Sequence, residues 1–181
     1  MEKNIFVIRH CKATGQSADA PLTEEGFEQA ADLLDFFKDK KIDRIVSSPY
    51  LRAIQTIEPV ANDRYLEIET DNRLIERELS TIFMPDWMDK LEATFYDLEL
   101  KYEGGESSYE AMNRIVEVVN EMLATNLHNQ ILVAHGGVIS LLLKHYNNDF
   151  SYEEWKRMSN PDVFLLKIKG NNITYRRIWE K

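Results

Sequence analysis

Residues 4–9, NIFVIR, followed at once by His10-Cys11-Lys12-Ala13-Thr14-Gly15-Gln16, are the stretch on which the fold turns. A short β-branched run predicts a buried strand, and the abrupt change to small and polar residues predicts a loop at its end. The pattern recurs along the chain. IDRIVSS (42–48) and residues 65–70 predict two further strands, and QILVA (130–134) a fourth that runs into His135-Gly136-Gly137. Helical periodicities lie between them. PLTEEGFEQAADLLDFFKDKK (21–41) offers Thr23 as an N-cap and Phe27, Ala30, Ala31, Leu34 and Phe37 as an apolar stripe. Pro49 reads as the first residue of the next helix, which Pro59 is expected to end or kink. Residues 86–102 predict a helix around Trp87, Leu91, Phe95 and Leu98. Ser107 and Ser108 can cap another, striped by Met112, Ile115, Val116, Val119, Met122 and Leu123, and VISLLLKHY (138–146) is helical again. DVFLLKIK (162–169) and ITYRRIWE (173–180) flank Gly170-Asn171-Asn172, a hairpin signal.

Strands alternating with helices predict an α/β fold: a three-layer α/β/α sandwich whose sheet is mainly parallel, with an antiparallel hairpin towards the C-terminus. With 181 residues, 44% of them hydrophobic, and no repeat, low-complexity tract or linker, a single domain spanning 1–181 is expected. The 31 acidic against 22 basic residues give a formal charge of -9, which argues against nonspecific binding to nucleic acid or to an anionic membrane; an anionic ligand would need a local pocket. Cys11 is the lone cysteine, so an intrachain disulfide and a zinc knuckle are both excluded. The first residues hold no signal-like apolar segment, and a cytoplasmic location is expected.

In open α/β sheets the ligand site lies beyond the carboxyl ends of the strands. That rule brings four segments to one edge: Arg9-His10, Ser47 to Arg52, Arg73 to Glu76, and His135-Gly136-Gly137. Together they hold two imidazoles, several guanidiniums and a carboxylate, the inventory of phosphoryl transfer: a nucleophile, cations for the equatorial oxygens and a proton donor. Arginine suits the second task because its planar fork meets phosphate oxygens in pairs and stays charged. His128 and His145 have no motif around them and read as solvated or helix-end residues.

These residues resemble the histidine phosphatase superfamily, in its phosphoglycerate-mutase-like branch 1. FVIRHCKATGQ resembles the family's Arg-His-Gly signature, PLTEEG its Pro-Leu-Thr-x-x-Gly helix start, and SSPYLRAIQT its Ser-Ser-x-x-x-Arg-Ala-x-Gln-Thr segment. DNRLIE is similar to the stretch carrying the acid, GGES to the start of the long helix, and VAHGG to the second histidine motif. The resemblance covers most of the chain, in the family's order. It implies that His10 becomes phosphorylated, that Glu76 is the general acid, and that Arg9, Gln16, Arg52, His135 and Gly136 hold the phosphoryl group of a small phosphorylated metabolite; by position alone, Glu78 two residues on is the competing carboxylate. No metal or other cofactor is implied. Two positions depart from the pattern: Cys11 stands where glycine is usual, and Ala13 where threonine is usual, with Thr14 one place later.

Other readings are weaker. A cysteine phosphatase would place an arginine six residues after its nucleophile, and position 17 is Ser17. A two-histidine metallohydrolase using His10, His135 and Glu76 lacks an HExxH or carboxylate cluster. A binding module without activity would be favoured by loss of Arg9, His10, Arg52 or His135, and all four are present. Within the family, a cofactor-dependent mutase would carry a longer insertion with an Arg-Arg pair, whereas only 59 positions separate Glu76 from His135. Hydrolysis is the expected outcome. The pocket roof is expected from Ile82, Phe83, Met84, Trp87, Lys12 and Arg77.

Overall fold

The computed structural model describes residues 1–180. Their element order is β1 (Glu2–Arg9), α1 (Glu24–Phe37), β2 (Arg44–Ser47), α2 (Leu51–Arg64), β3 (Ile68–Thr70), a single 3₁₀ turn (Asn72–Leu74), α3 (Trp87–Tyr96), α4 (Ser108–Leu123), β4 (Asn129–Ala134), α5 (Gly136–Tyr146), α6 (Tyr152–Arg157), β5 (Asp162–Lys169) and β6 (Asn172–Arg177). The strands form one sheet in the order β3-β2-β4-β1-β5-β6. The four N-terminal strands of that order, β3, β2, β4 and β1, run parallel; β5 lies antiparallel to β1, and β6 to β5.

Alternation along the central strands explains the layers. Ile5 and Val7 face one side, where α4 and α5 bring Ile115, Val119, Ile139 and Leu142. Phe6 and Ile8 face the other, where α1 and α2 bring Leu33, Phe37, Ile57 and Val60. A central parallel strand covered on both faces has no polar side, which is why residues 130–134 read as a continuous apolar run. Each fully buried aliphatic side chain there contributes roughly 1.5–3 kcal/mol by leaving water.

Several expectations shift in detail. Thr23 caps α1 as read, its side chain accepting from the Gly26 N–H, but the buried face is Gly26, Ala30, Leu33 and Phe37, while Phe27 is 49% exposed. Pro49 stands two residues before α2, because Tyr50 is still extended and serves as the N-cap. Pro59 does not end that helix, which continues to Arg64 and stops where Tyr65 turns left-handed at φ 52°. The third strand is correspondingly shorter than 65–70, and α3 ends at Tyr96 rather than near 102. Helix α6 escaped the periodicity because it has only six residues, although Ser151 and Glu154 carry a capping-box spacing: the Glu154 carboxylate accepts from the Ser151 N–H at 2.8 Å. The hairpin turns at Gly170, with φ +60°, and pairs Lys169 with Asn172.

Register fixes what the sheet presents. Arg9 lies opposite Ala134, Ser47 opposite Val133, and Thr70 opposite Ser47. The chains leaving β1, β2, β3 and β4 therefore emerge at one edge.

Candidate active site

His10 is the first residue beyond β1 and is 8% exposed. Its Nδ1 lies 2.6 Å from the Cys11 carbonyl oxygen. A carbonyl can only accept, so Nδ1 carries the proton and Nε2 keeps its lone pair. Arg52 Nε donates towards that same Nε2 at 3.3 Å, which requires the same tautomer. Burial, and after it the cationic Arg52 and Arg9, outweigh the carbonyl contact and hold the imidazole pKa down at about 4. At neutral pH, His10 is an uncharged, oriented imidazole.

Arg52 sits in the first turn of α2, 1% exposed. Its Nη1 donates to the carbonyls of Gln16 at 3.2 Å and Ser17 at 2.9 Å, so the guanidinium is braced by the loop after His10. A second brace ties the two elements: the Cys11 N–H donates to Thr56 Oγ1 at 2.8 Å, and the Thr56 hydroxyl to the Arg52 carbonyl at 2.7 Å. Cys11 itself is fully buried in the layer of α1 and α2, and burial pushes its thiol up to about 12, so it packs there as a neutral thiol. Gln16 is exposed at the rim, linked to the site through its backbone carbonyl.

His135 is the N-cap of α5 and fully buried, its Nε2 2.8 Å from Ser48 Oγ. Its ring stands 5.2 Å from that of His10, and the Tyr50 ring lies edge-on at the same distance on another side. Burial, then the neighbouring His10 and Arg52, depress its pKa well below the ordinary value. Arg9 donates to the carbonyls of Met158 at 3.1 Å and Ser159 at 3.4 Å. Among the described residues, Arg9 Nε and His135 Nδ1 are buried without a hydrogen-bond partner. A buried donor left unpaired costs roughly 1–3 kcal/mol, and an oxyanion ligand would supply the missing acceptor.

Glu76 reaches the site from the turn after β3. Its Oε1 accepts from the N–H groups of Arg77 at 2.7 Å and Val138 at 2.8 Å, and its Oε2 from Gly137 at 2.9 Å. The carboxylate thus plugs the N-terminus of α5, close enough to Arg9 and Arg52 to stabilise their charged forms. Gly136 and Gly137 make this packing possible. A Cβ at Gly136 would stand 2.8 Å from Arg9 Nε, and one at Gly137 2.6 Å from Glu76 Oε1.

Five of the seven residues anticipated from sequence, Arg9, His10, Arg52, Glu76 and His135, bring their side chains together here, with Gly136 beneath Arg9 and Gln16 at the rim. Two expectations are corrected. Arg77 does not roof the pocket, because its Nη atoms donate inward to Thr94, Ser108 and the Glu106 carbonyl. Lys12 pairs with Glu25 at the surface. Ile82, Phe83 and Trp87 are exposed in the segment following Glu76. Sequence reading missed Ser48, Tyr50 and Gly137 as individual parts of the site. All three lay inside the quoted motifs, which named segments without giving each position a partner.

Comparison with known proteins agrees with this geometry. The sequence profile of the histidine phosphatase superfamily (branch 1) matches residues 5–180. The chain is 26% identical over 189 residues to "Putative phosphoserine phosphatase 2" of Hydrogenobacter thermophilus, covering 95% of this chain and 93% of that protein. It is 31% identical over 158 residues to "Probable phosphoglycerate mutase GpmB" of Proteus mirabilis, covering 77% and 72%. A mycobacterial glucosyl-3-phosphoglycerate phosphatase structure superposes with a TM-score of 0.78 at 22% identity, over 98% of this chain and 97% of the other. The protein belongs to the histidine phosphatase superfamily, branch 1. It is accordingly a phosphomonoester hydrolase of the histidine phosphatase type.

Proposed function

We propose that this protein hydrolyses small phosphorylated metabolites through a phosphohistidine on His10, without a metal ion. The observation that carries the reading is the His10 tautomer: Nδ1 is engaged by the Cys11 carbonyl at 2.6 Å, so the lone pair is on Nε2, where it accepts from Arg52 Nε at 3.3 Å, a donor that a phosphoryl oxygen would take over. In the first step that lone pair attacks phosphorus in line. The ester P–O bond breaks, its electron pair leaves on the ester oxygen, and Glu76 protonates that oxygen. Each carboxylate oxygen has two lone pairs. Oε1 spends both on N–H donors and Oε2 only one, so the transferable proton belongs on Oε2. In the second step water gives a proton to Glu76 and attacks phosphorus. The P–N bond then breaks and Nε2 recovers its pair.

Arg9, Arg52 and His135 meet the equatorial oxygens throughout, with Gly136 and Gln16 completing the cradle. Preset cations in a buried site stabilise the transition state without solvent reorganisation. The unpaired Arg9 Nε and His135 Nδ1 support this assignment. A metal has no evident part in it, and among the described residues no group of three or more His, Cys, Asp or Glu is arranged to hold one.

Hydrolysis is favoured over phosphoryl return to a second hydroxyl. The two arginines between Glu76 and His135 are both committed, Arg77 to Thr94, Ser108 and Glu106, and Arg114 to backbone carbonyls, so neither is free to hold a second substrate charge. No described helix is long and apolar enough to cross a membrane. That, the acidic charge and the buried lone thiol support a cytoplasmic enzyme that binds neither nucleic acid nor membrane. The test is a screen of phosphate release from phosphorylated metabolites with His10→Ala as control, repeated after exhaustive chelation. Release that survives chelation and vanishes in the variant is expected. Activity lost to chelator and restored by a divalent ion would point to a metallohydrolase, and isomerised phosphoglycerate without free phosphate to a mutase.

A further inference from the structure

Glu76 lies just beyond the 3₁₀ turn, between the buried Leu74 and Arg77, and a proton donor must be held to a fraction of an ångström. The device that holds it is on α4. Arg114 Nη1 donates to the carbonyls of Arg73 at 2.6 Å and Ile75 at 2.7 Å, and its Nη2 to the carbonyl of Glu76 at 3.2 Å. These carbonyls leave the 3₁₀ turn without helical partners. The remaining donors go to Glu106, Nη2 at 2.6 Å and Nε at 3.2 Å. Glu106 precedes the Ser107 N-cap of α4 and neutralises Arg114. Both side chains are largely buried, at 18% and 21% exposure, so the pair is shielded from water.

We propose that Arg114 is a positioning residue for Glu76, an inference that rests on the reading of Glu76 as proton donor. One guanidinium grips three carbonyls within four residues, ending on that of Glu76 itself. It sets where the turn delivers the carboxylate to the N–H groups of Gly137 and Val138. Arg114 touches no reacting atom. Its loss would let the turn drift, and a displacement near 1 Å at a reacting group costs on the order of 10²-fold in rate. The deficit belongs to proton donation alone, because His10, Arg52 and His135 are held by other elements.

The test compares wild type, Glu76→Gln, Arg114→Gln, Arg114→Lys and the Glu76→Gln/Arg114→Gln double variant on β-glycerophosphate and on nitrophenyl phosphate, whose leaving group needs little protonation. Arg114→Gln should lower kcat on the alkyl ester by roughly 10- to 100-fold. On the aryl ester the loss should stay below about threefold, with KM little changed on either. Arg114→Lys should recover part of the loss, and the double variant should be no worse than Glu76→Gln on the alkyl ester. Equal losses on both esters, or losses that multiply in the double variant, overturn the proposal. Thermal melts identify a variant that fails to fold. In that event Glu106→Gln, which leaves the carbonyl contacts in place, must show the same selectivity at smaller amplitude, and an unselective loss there overturns it too. A Glu76→Gln enzyme without leaving-group dependence would instead remove the acid assignment, and the role of Arg114 with it.

Discussion

In the proposed mechanism the imidazole of His10 meets two demands at once: it must be uncharged to attack, and it must be surrounded by cations to hold what it attacks. The bond from Nδ1 to the Cys11 carbonyl and the near-complete burial satisfy the first, Arg52 and Arg9 the second. This has a cost that can be measured. The folded pKa is about 4 against an unfolded value near 6.5, so between these values the unfolded chain takes up the proton and the folded one does not. The stability contributed by keeping His10 neutral is complete above pH 6.5 and drains away as the pH falls towards 4, by about 2–3 kcal/mol near pH 4.5. His10→Gln removes that proton uptake. Urea midpoints at pH 7 and pH 4.5 should therefore drop further in wild type than in His10→Gln, and equal drops would mean that His10 titrates normally. The residue type and its place after a strand were legible in NIFVIRH. The tautomer was not, because it depends on a carbonyl one residue away whose direction only the folded loop defines.

At the scale of elements, the N-terminus of α5 is where the site is most tightly assembled. Two adjacent glycines there admit two different side chains, Gly136 the Arg9 guanidinium and Gly137 the Glu76 carboxylate. Replacing each by alanine should separate phosphate binding from proton donation while leaving every charged group in the chain. A methyl at 136 must displace the guanidinium, so Gly136→Ala should raise KM by about tenfold or more, the loss of one charge-assisted contact. A methyl at 137 must displace the carboxylate, so Gly137→Ala should lower kcat on alkyl phosphates by ~10²-fold or more and spare aryl ones. Steady-state kinetics on the two ester classes checks both, and identical effects of the two variants would show that the glycines merely shape the helix. The His-Gly-Gly motif marked this junction in the sequence, but not which side chain each glycine receives, since both come from distant strands. Helix ends were the other weak point. Pro59 looked like a stop, yet the chain turns only at Tyr65, where the backbone is left-handed. The two-turn α6 is too short for its periodicity to register.

For the whole molecule, the order β3-β2-β4-β1 brings the carboxyl ends of four parallel strands to one edge, and the site is assembled from the four loops that leave them. That much followed from strand runs ending in polar motifs and from the rule that places ligands at strand ends. The braces did not follow. Glu106 and Thr56 lay inside quoted motifs that gave them no partner, Arg114, Met158 and Ser159 lay in none, and these braces act through contacts 8 to 150 positions apart. What unites these parts, in the proposed mechanism, is a covalent step on one nitrogen. Rapid quenching with a ³²P-labelled phosphomonoester, followed by peptide mapping, tests it directly. The account predicts phosphate on the peptide containing His10, in a linkage labile to acid and stable to alkali, absent in His10→Ala and still detectable in His135→Ala. Label on the His135 peptide, or an acid-stable and alkali-labile linkage, would contradict it.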